Sequence, residues 1–379
     1  MYKQINIDRP RVIFINEDYR LAGPHIYIFN MIKKDNFTGK PIFILPSNSN
    51  NELLSRFPSD EMELCLVKMK TLQLAWKSLA SYFLNFLSDL IRIHNVFKSY
   101  ECDYIYITGG SWQFKSVISS ILARKSFIWH LNDSNMNIAV RIIFKFLSNF
   151  ASKVIFASNK SKDYYLPLIK NKNIPTKVIQ SSVDSKLFLL SPPNFADLDE
   201  IVFGTLANIN PVKNLKRSIQ IFNQINKQTD IKTSYLIGGP VHDSQVNYFN
   251  DLRKLIMDLG CENINFIGNV EDPEFFYKRI SIYLCTSDFE SSPISVWEAM
   301  ASGRVVISTP VGDVPNFIIH GSNGFLLKSD AETRDLSKLL SRPSYLEDIS
   351  IGAREVAKKT FTNERAASLH MSFFSQHNL

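Results

Sequence analysis

Cysteine is scarce in this sequence. Cys65, Cys102, Cys261 and Cys285 are four among 379 residues, widely scattered and forming no Cys-x-x-Cys pair. That argues against a disulfide framework or a thiolate metal site and for reduced thiols. Long apolar runs are also missing: none approaches the ~20 uninterrupted residues that span a bilayer. The start is polar and charged, with nothing resembling a leader, so a cytoplasmic location is expected. No nucleic-acid-binding motif accompanies the basic residues, which removes nucleic acid from the expected partners.

What is present reads as globular. Hydrophobic residues make up 45% and charged residues 21%, and a chain of this length exceeds one ordinary core, so two domains are expected. The net charge of +7 is uneven, with +11 over residues 1–190 and −4 over 191–379. A basic half beside an acidic one points to an anionic surface or substrate for the first half, such as an anionic membrane or a phosphate-bearing acceptor.

Short apolar segments alternate with helical patterns in both halves. Strands are expected at Arg11–Asn16, Pro41–Leu45, Tyr104–Thr108, Ser126–His130 and Lys153–Ala157, and again at Ile201–Leu206, Ser234–Ile237, Ile264–Ile267, Ile282–Cys285 and Val305–Ser308. Helices are expected near Asn214–Asn226, Val246–Leu259, Pro273–Lys278, Pro293–Ser302 and Ala331–Leu340. Leu72, Trp76, Leu79, Phe83, Phe86, Leu90, Ile93 and Phe97 form one helical stripe, widened by Leu84, Leu87 and Ile91. It reads as core packing or as a membrane-facing surface. Met136–Phe150, with Arg141 and Lys145 among apolar residues, is a second such segment. The pattern predicts an α/β protein of two doubly wound, Rossmann-like domains facing across a cleft: 1–190, 191–345, and terminal helices over 346–379 that can cross back to the first domain. Ligands in such sheets sit at the carboxyl ends of the strands.

Glu290 and Glu298 bracket a loop-to-helix junction. Ser292 is expected to cap the helix, Pro293 to open it and Gly303 to end it. The amides of Ile294 and Ser295 then face out of a positive helix end, a cradle for phosphate. Two acids flanking an anion cradle can hold the hydroxyls of two sugars joined by a diphosphate, as in a nucleotide-sugar. Lys213, at the start of another helix, opposes that helix's dipole and makes sense beside a phosphate, or else as a solvated lysine. Gly238, in Ile237-Gly238-Gly239-Pro240, can bring backbone to a ligand or simply make a turn. The backbone around Val270 can pair with a nucleobase edge. His130 ends a strand ahead of Asp133 and reads either as a ligand contact or as a buried structural group. Gly23 lies in a loop flanked by Arg20 and His25, which can meet an acceptor phosphate.

Together these residues resemble the retaining glycosyltransferases of glycosyltransferase family 4, which have the GT-B fold. The run Glu290-x7-Glu298-Ala299-Met300-Ala301-Ser302-Gly303 is similar to that family's signature. Ala151–Ser158 resembles its last N-domain strand, and Val178–Asp184 its interdomain segment, with Ser181-Ser182 in place of the usual Asn-Gly. The resemblance implies that Glu298 binds the ribose, Glu290 the transferred sugar and Lys213 the diphosphate. It also implies that His130 touches the sugar or its leaving oxygen and that Gly23 lets backbone approach the phosphates. Asn208 stands where the family usually has an arginine, and a neutral donor gives a departing diphosphate weaker support than a charged one. Lys216 or Arg217 can compensate.

The expected function is transfer of a sugar, with retention, from a nucleoside-diphosphate-sugar held by the second domain to a hydroxyl of a carbohydrate or lipid-linked acceptor held by the first, which supplies His130 to catalysis and Arg20, His25 and Asp133 on the acceptor side. Bacterial surface polysaccharide assembly, on the cytoplasmic face of the inner membrane, is a plausible setting. No cofactor is expected beyond this donor substrate. No divalent metal is expected either, since no Asp-x-Asp pair closes a strand and the helix end with Lys213 can neutralise the phosphates. Two alternatives stand beside it: a non-catalytic or accessory GT-B protein, on the strength of Asn208, and a nucleotide-sugar epimerase of the same fold.

Overall fold

The structure, a computed structural model, describes residues 9–32, 34–72, 76–329 and 333–376. The chain divides into two compact units, Met1–Ser181 with Asn363–Leu379, and Ser182–Thr362.

The first unit is built on seven parallel strands among the described residues. They are β1 (Val12–Ile15), β2 (Ile42–Pro46), β3 (Glu63–Val67), β4 (Tyr104–Thr108), β5 (Phe127–Leu131), β6 (Lys153–Phe156) and β7 (Thr176–Val178), in the order β3-β2-β1-β4-β5-β6-β7. The register pairs Ile13 with Ile105 and Ile107 with Trp129. Successive side chains point to opposite faces, and both faces are apolar. Ile13, Ile15, Ile105, Ile107 and Trp129 pack under the helices Trp76–Ser99, Phe114–Leu122 and Ile138–Leu147. Phe14, Phe43, Tyr106 and Ile128 pack under Gly23–Met31 and the terminal helix Asn363–Phe374. That last helix is held by Lys153, itself buried, whose Nζ donates to the carbonyls of Phe373 (2.6 Å), Phe374 (2.8 Å) and Gln376 (2.7 Å). It thereby satisfies carbonyls that a helix end leaves without partners.

The second unit has six parallel strands among the described residues. They are β8 (Ile201–Leu206), β9 (Thr233–Gly238), β10 (Ile264–Gly268), β11 (Ile282–Cys285), β12 (Val305–Ser308) and β13 (Phe325–Leu326), in the order β10-β9-β8-β11-β12-β13. This is the doubly wound order, and it reverses between β8 and β11.

The differences from expectation have physical reasons. Strands β3, β7 and β13 lie at or near sheet edges. β3 leaves Leu64 and Leu66 exposed, and all three are short or mixed in polarity, so none shows the apolar run of a buried strand. The break between units falls at Ser181/Ser182 rather than in Leu190–Asp199, because Val183, Leu187 and Leu190 already belong to the second unit's core. The stripe over Leu72–Phe97 turns inward with Tyr82, Leu90, Ile93 and Phe97, whereas Phe83 is 66% exposed together with Leu84, Leu87 and Ile91. The side chain of Trp76 and the expected helix start at Ala331 lie outside the described residues, as does the polar start at Met1. No helix among the described residues is long and apolar enough to cross a membrane. All four cysteines are free.

Candidate active site

In the second unit, the loops leaving β8 and β11 meet at the point where the strand order reverses. The β8 loop passes through Asn208 and a short turn, Pro211–Lys213, and reaches Asn214 in a left-handed conformation (φ 46°) that caps the helix Leu215–Asn226. Three bonds lock this loop to the one after β11. Asp288 N donates to the Val212 carbonyl (2.9 Å), Asn214 Nδ2 to Asp288 Oδ1 (2.8 Å) and Thr286 Oγ1 to the Asn214 carbonyl (3.0 Å).

The lock brings Lys213 and Glu290 together. Lys213 Nζ donates to Glu290 Oε1 at 2.6 Å, with the two side chains 26% and 16% exposed. Ser287 Oγ donates to the same oxygen at 2.8 Å. Burial alone would lower the lysine's pKa, but the charge and hydrogen bond of Glu290 outweigh it and raise it. Lys213 is therefore a firmly protonated ammonium at the mouth of the strand ends.

Downstream, the helix runs Ile294–Ala301 with Pro293 at its N-cap and no side-chain cap bond. This corrects the expected cap by one residue; Ser292 Oγ accepts from Trp297 Nε1 at 3.0 Å. The first helical bonds run from Val296 and Trp297 to the Pro293 carbonyl, so the amides of Ile294 and Ser295 stand ahead of the ladder at the positive end. At the other end, Gly303 (φ 69°) donates to the Met300 carbonyl and Arg304 to that of Ala299, which is a Schellman closure. Glu298, 8% exposed, accepts from the hydroxyl of Tyr277 (3.0 Å), which also lies 2.9 Å from the Ser295 carbonyl. The loop after β12 presses on the junction from behind. Asp313 N donates to the Ser291 carbonyl, and a Cβ on Gly312 (φ 54°) would sit 2.3 Å from that same oxygen.

Gly238 closes β9, and Val270 Cγ2 fills the space a side chain there would need, so these two meet as a pair at the same end of the sheet. Asn208 is exposed in the β8 loop. Lys216 lies 3.7 Å from Asp251 and over the ring of Tyr248. Tyr277, Ser287, Asp288 and Gly312 went unnoticed in the sequence. A tyrosine inside a short helix and small polar residues in a loop carry no periodic or charge signal, and only the fold puts them against the acids.

In the first unit the expectations fare differently. Gly23 is the first residue of the helix Gly23–Met31. Arg20 is exposed and paired with Asp18 at 3.2 Å. His25 and His130 are both 0% exposed, and for His130 this matches the buried-group reading of the two that the sequence left open. His130 sits in a hydrogen-bonded cluster, its Nδ1 2.9 Å from the Tyr106 hydroxyl, and the same hydroxyl lies 2.9 Å from His370 Nε2. Burial first, and His370 second, push its pKa well down. Burial likewise takes His25 to about 4. Asp133 follows β5, but its carboxylate accepts from the hydroxyls of Tyr165 and Ser111, and burial raises its pKa to about 6.

The comparisons with known proteins bear on the second unit first. Residues 190–356 match the family described as glycosyl transferases group 1. The lipopolysaccharide core biosynthesis mannosyltransferase LpcC of Rhizobium leguminosarum bv. viciae is 25% identical over 275 residues, covering 65% of this chain and 77% of that one. Among solved structures, Anabaena HepE in complex with UDP and glucose superposes with a TM-score of 0.80 at 19% identity, over 97% of this chain and 100% of that one. The sucrose-phosphate synthase of Thermosynechococcus elongatus does so with a TM-score of 0.72 at 15% identity, over 96% and 98%. The fold is thus the α/β GT-B fold of two Rossmann-like units.

Proposed function

We propose, from the membership of this chain in the group 1 glycosyl transferases through its second unit, that it moves a sugar from a nucleoside-diphosphate-sugar to a hydroxyl of a glycan or lipid-linked acceptor, with retention and without a metal. The observation that carries this reading is the Lys213–Glu290 pair beside the open end of the helix Ile294–Ala301. Without a donor the ammonium and the carboxylate satisfy each other. An arriving diphosphate competes for Lys213, and Glu290 is released to take hydroxyls of the transferred sugar. Glu298, oriented by Tyr277, takes the ribose. Gly238 and Val270 flank the base. The amides of Ile294 and Ser295, with Lys213, stabilise the charge that grows on the leaving diphosphate while the acceptor attacks from the same face.

The first unit is assigned the acceptor, with Arg20 at its rim. Its charge of +11 over residues 1–190 supports an anionic acceptor and peripheral contact with an anionic membrane. The mannosyltransferase relative of lipopolysaccharide core synthesis supports a role in surface polysaccharide assembly at the cytoplasmic side of the membrane, and the UDP-bound structural neighbour favours a uridine donor. A second reading, a non-catalytic donor-binding protein, draws on Asn208. Calorimetry with UDP-, GDP- and ADP-sugars, followed by product analysis with the best binder, tests both. A donor that binds and is consumed only with acceptor supports the transferase, while one that binds and is never turned over supports the second reading. A donor converted without acceptor identifies an epimerase, and absence of any binding overturns all three.

A further inference from the structure

A surface helix normally turns an apolar stripe inward and polar residues outward. The helix Ile138–Leu147 does not: eight of its ten residues are apolar and the other two are Arg141 and Lys145. Phe144 and Leu147 face the core, Phe144 against Trp129. The opposite arc carries Ile138, Ile142 and Phe146, exposed at 79%, 64% and 66%. Phe150, just beyond the helix, meets Phe146 edge-on at 5.5 Å, so the apolar surface continues past the last turn. At about 100° per residue, Arg141 and Lys145 line one border of this arc. From Ser134 to Lys162 the sequence has no Asp or Glu but has Arg141, Lys145, Lys153, Lys160 and Lys162, of which Lys153 is buried.

We propose that this face lies in the surface of an anionic lipid bilayer, with the helix in the membrane plane. Ile138, Ile142, Phe146 and Phe150 enter the boundary between headgroups and acyl chains, and Arg141 and Lys145 meet lipid phosphates. Charge of one sign is what selects a lipid surface over a second copy of the chain, whose matching face would carry the same cations. It also selects this helix over the other exposed strip, Phe83, Leu84, Leu87 and Ile91, which has no basic residue between Ser78 and Ile91. The inference deepens the peripheral-membrane part of the proposed function and rests on it for its purpose, though its test does not.

The test is co-sedimentation of the full chain with phosphatidylcholine vesicles, with and without phosphatidylglycerol. The parent binds the anionic vesicles, and salt weakens that binding. Arg141→Gln with Lys145→Gln lowers it by about thirtyfold, and Ile142→Ser with Phe146→Ser by at least ~10-fold. Leu84→Ser with Leu87→Ser leaves it intact. Equal binding to both vesicle types, unchanged binding in either variant of the proposed face, or loss in the Leu84 and Leu87 variant would overturn the proposal. So would a change of sedimenting mass in the Ile142 and Phe146 variant without an effect on vesicles, which would assign the face to self-association. Donor calorimetry on the same samples keeps the readings apart: failure of vesicle binding with donor affinity retained removes the membrane face and leaves the transferase.

Discussion

Lys213 and Glu290 form a contact-distance ion pair that is partly open to solvent. With side chains 26% and 16% exposed, the pair is only partly solvated, and its proposed weight is in ligand recognition. Removing the lysine in Lys213→Ala should leave folding intact and lower turnover by roughly 10²–10³, the usual cost of losing a preorganised contact to developing charge. Near-normal steady-state rates in that variant would take Lys213 out of the mechanism. The Tyr277 hydroxyl donates to Glu298 and helps to orient it. Tyr277→Phe should weaken donor binding by roughly ten- to a hundredfold, in line with a hydrogen bond to a charged group, and calorimetry reads this directly. Asn208 lies exposed on the same loop as Lys213, so an arginine fits there without burial. Asn208→Arg should raise transfer if the leaving group is under-supported, and an unchanged rate would show that it is not.

At the scale of elements, the junction before the helix Ile294–Ala301 works because another loop backs it. Gly312 holds a left-handed φ and leaves no room for a Cβ against the Ser291 carbonyl. Gly312→Ala must push that backbone, and with it Glu290 and the first helical amides. Donor affinity should fall together with the melting temperature, and a variant with full affinity would separate this loop from the site. The run from Glu290 to Gly303 was legible in the sequence because helix starts and stops are local. Its cap was not. Ser292 has the right chemistry for an N-cap, but the helix begins one residue later, with Pro293 at that position, while the Ser292 hydroxyl accepts from Trp297, buried five residues on.

At the scale of the whole molecule, the two units differ in their buried histidines. His25, His130 and His370 are wholly buried in the first unit, and burial carries His370 to about 4. A histidine whose pKa is lowered by folding binds its proton more tightly when unfolded, so its contribution is lost as pH falls from about 6.5 towards 4. Asp133 and Glu17, both raised by burial, act in the opposite sense over part of that range. The difference can be isolated with His370→Gln, which should reduce the dependence of first-unit stability on pH between about 4 and 6.5 by one proton. Denaturant titrations across that range measure it, and an unaltered slope would show that His370 titrates normally. The same helix depends on Lys153, whose three carbonyl contacts tie the chain's last helix to the first sheet.

By itself the sequence determined the alternation of strands and helices, most element boundaries in the second unit, and the run of acids and small residues from Glu290 to Gly303. These are local properties, written in periodicity and in capping chemistry. Only the tertiary structure decided which histidines are sealed in, that Lys213 answers to Glu290 across a long stretch of chain, and which apolar helix keeps its outer face open. Each depends on residues far apart in sequence competing for the same space or the same hydrogen bond, and no short window of residues contains that competition.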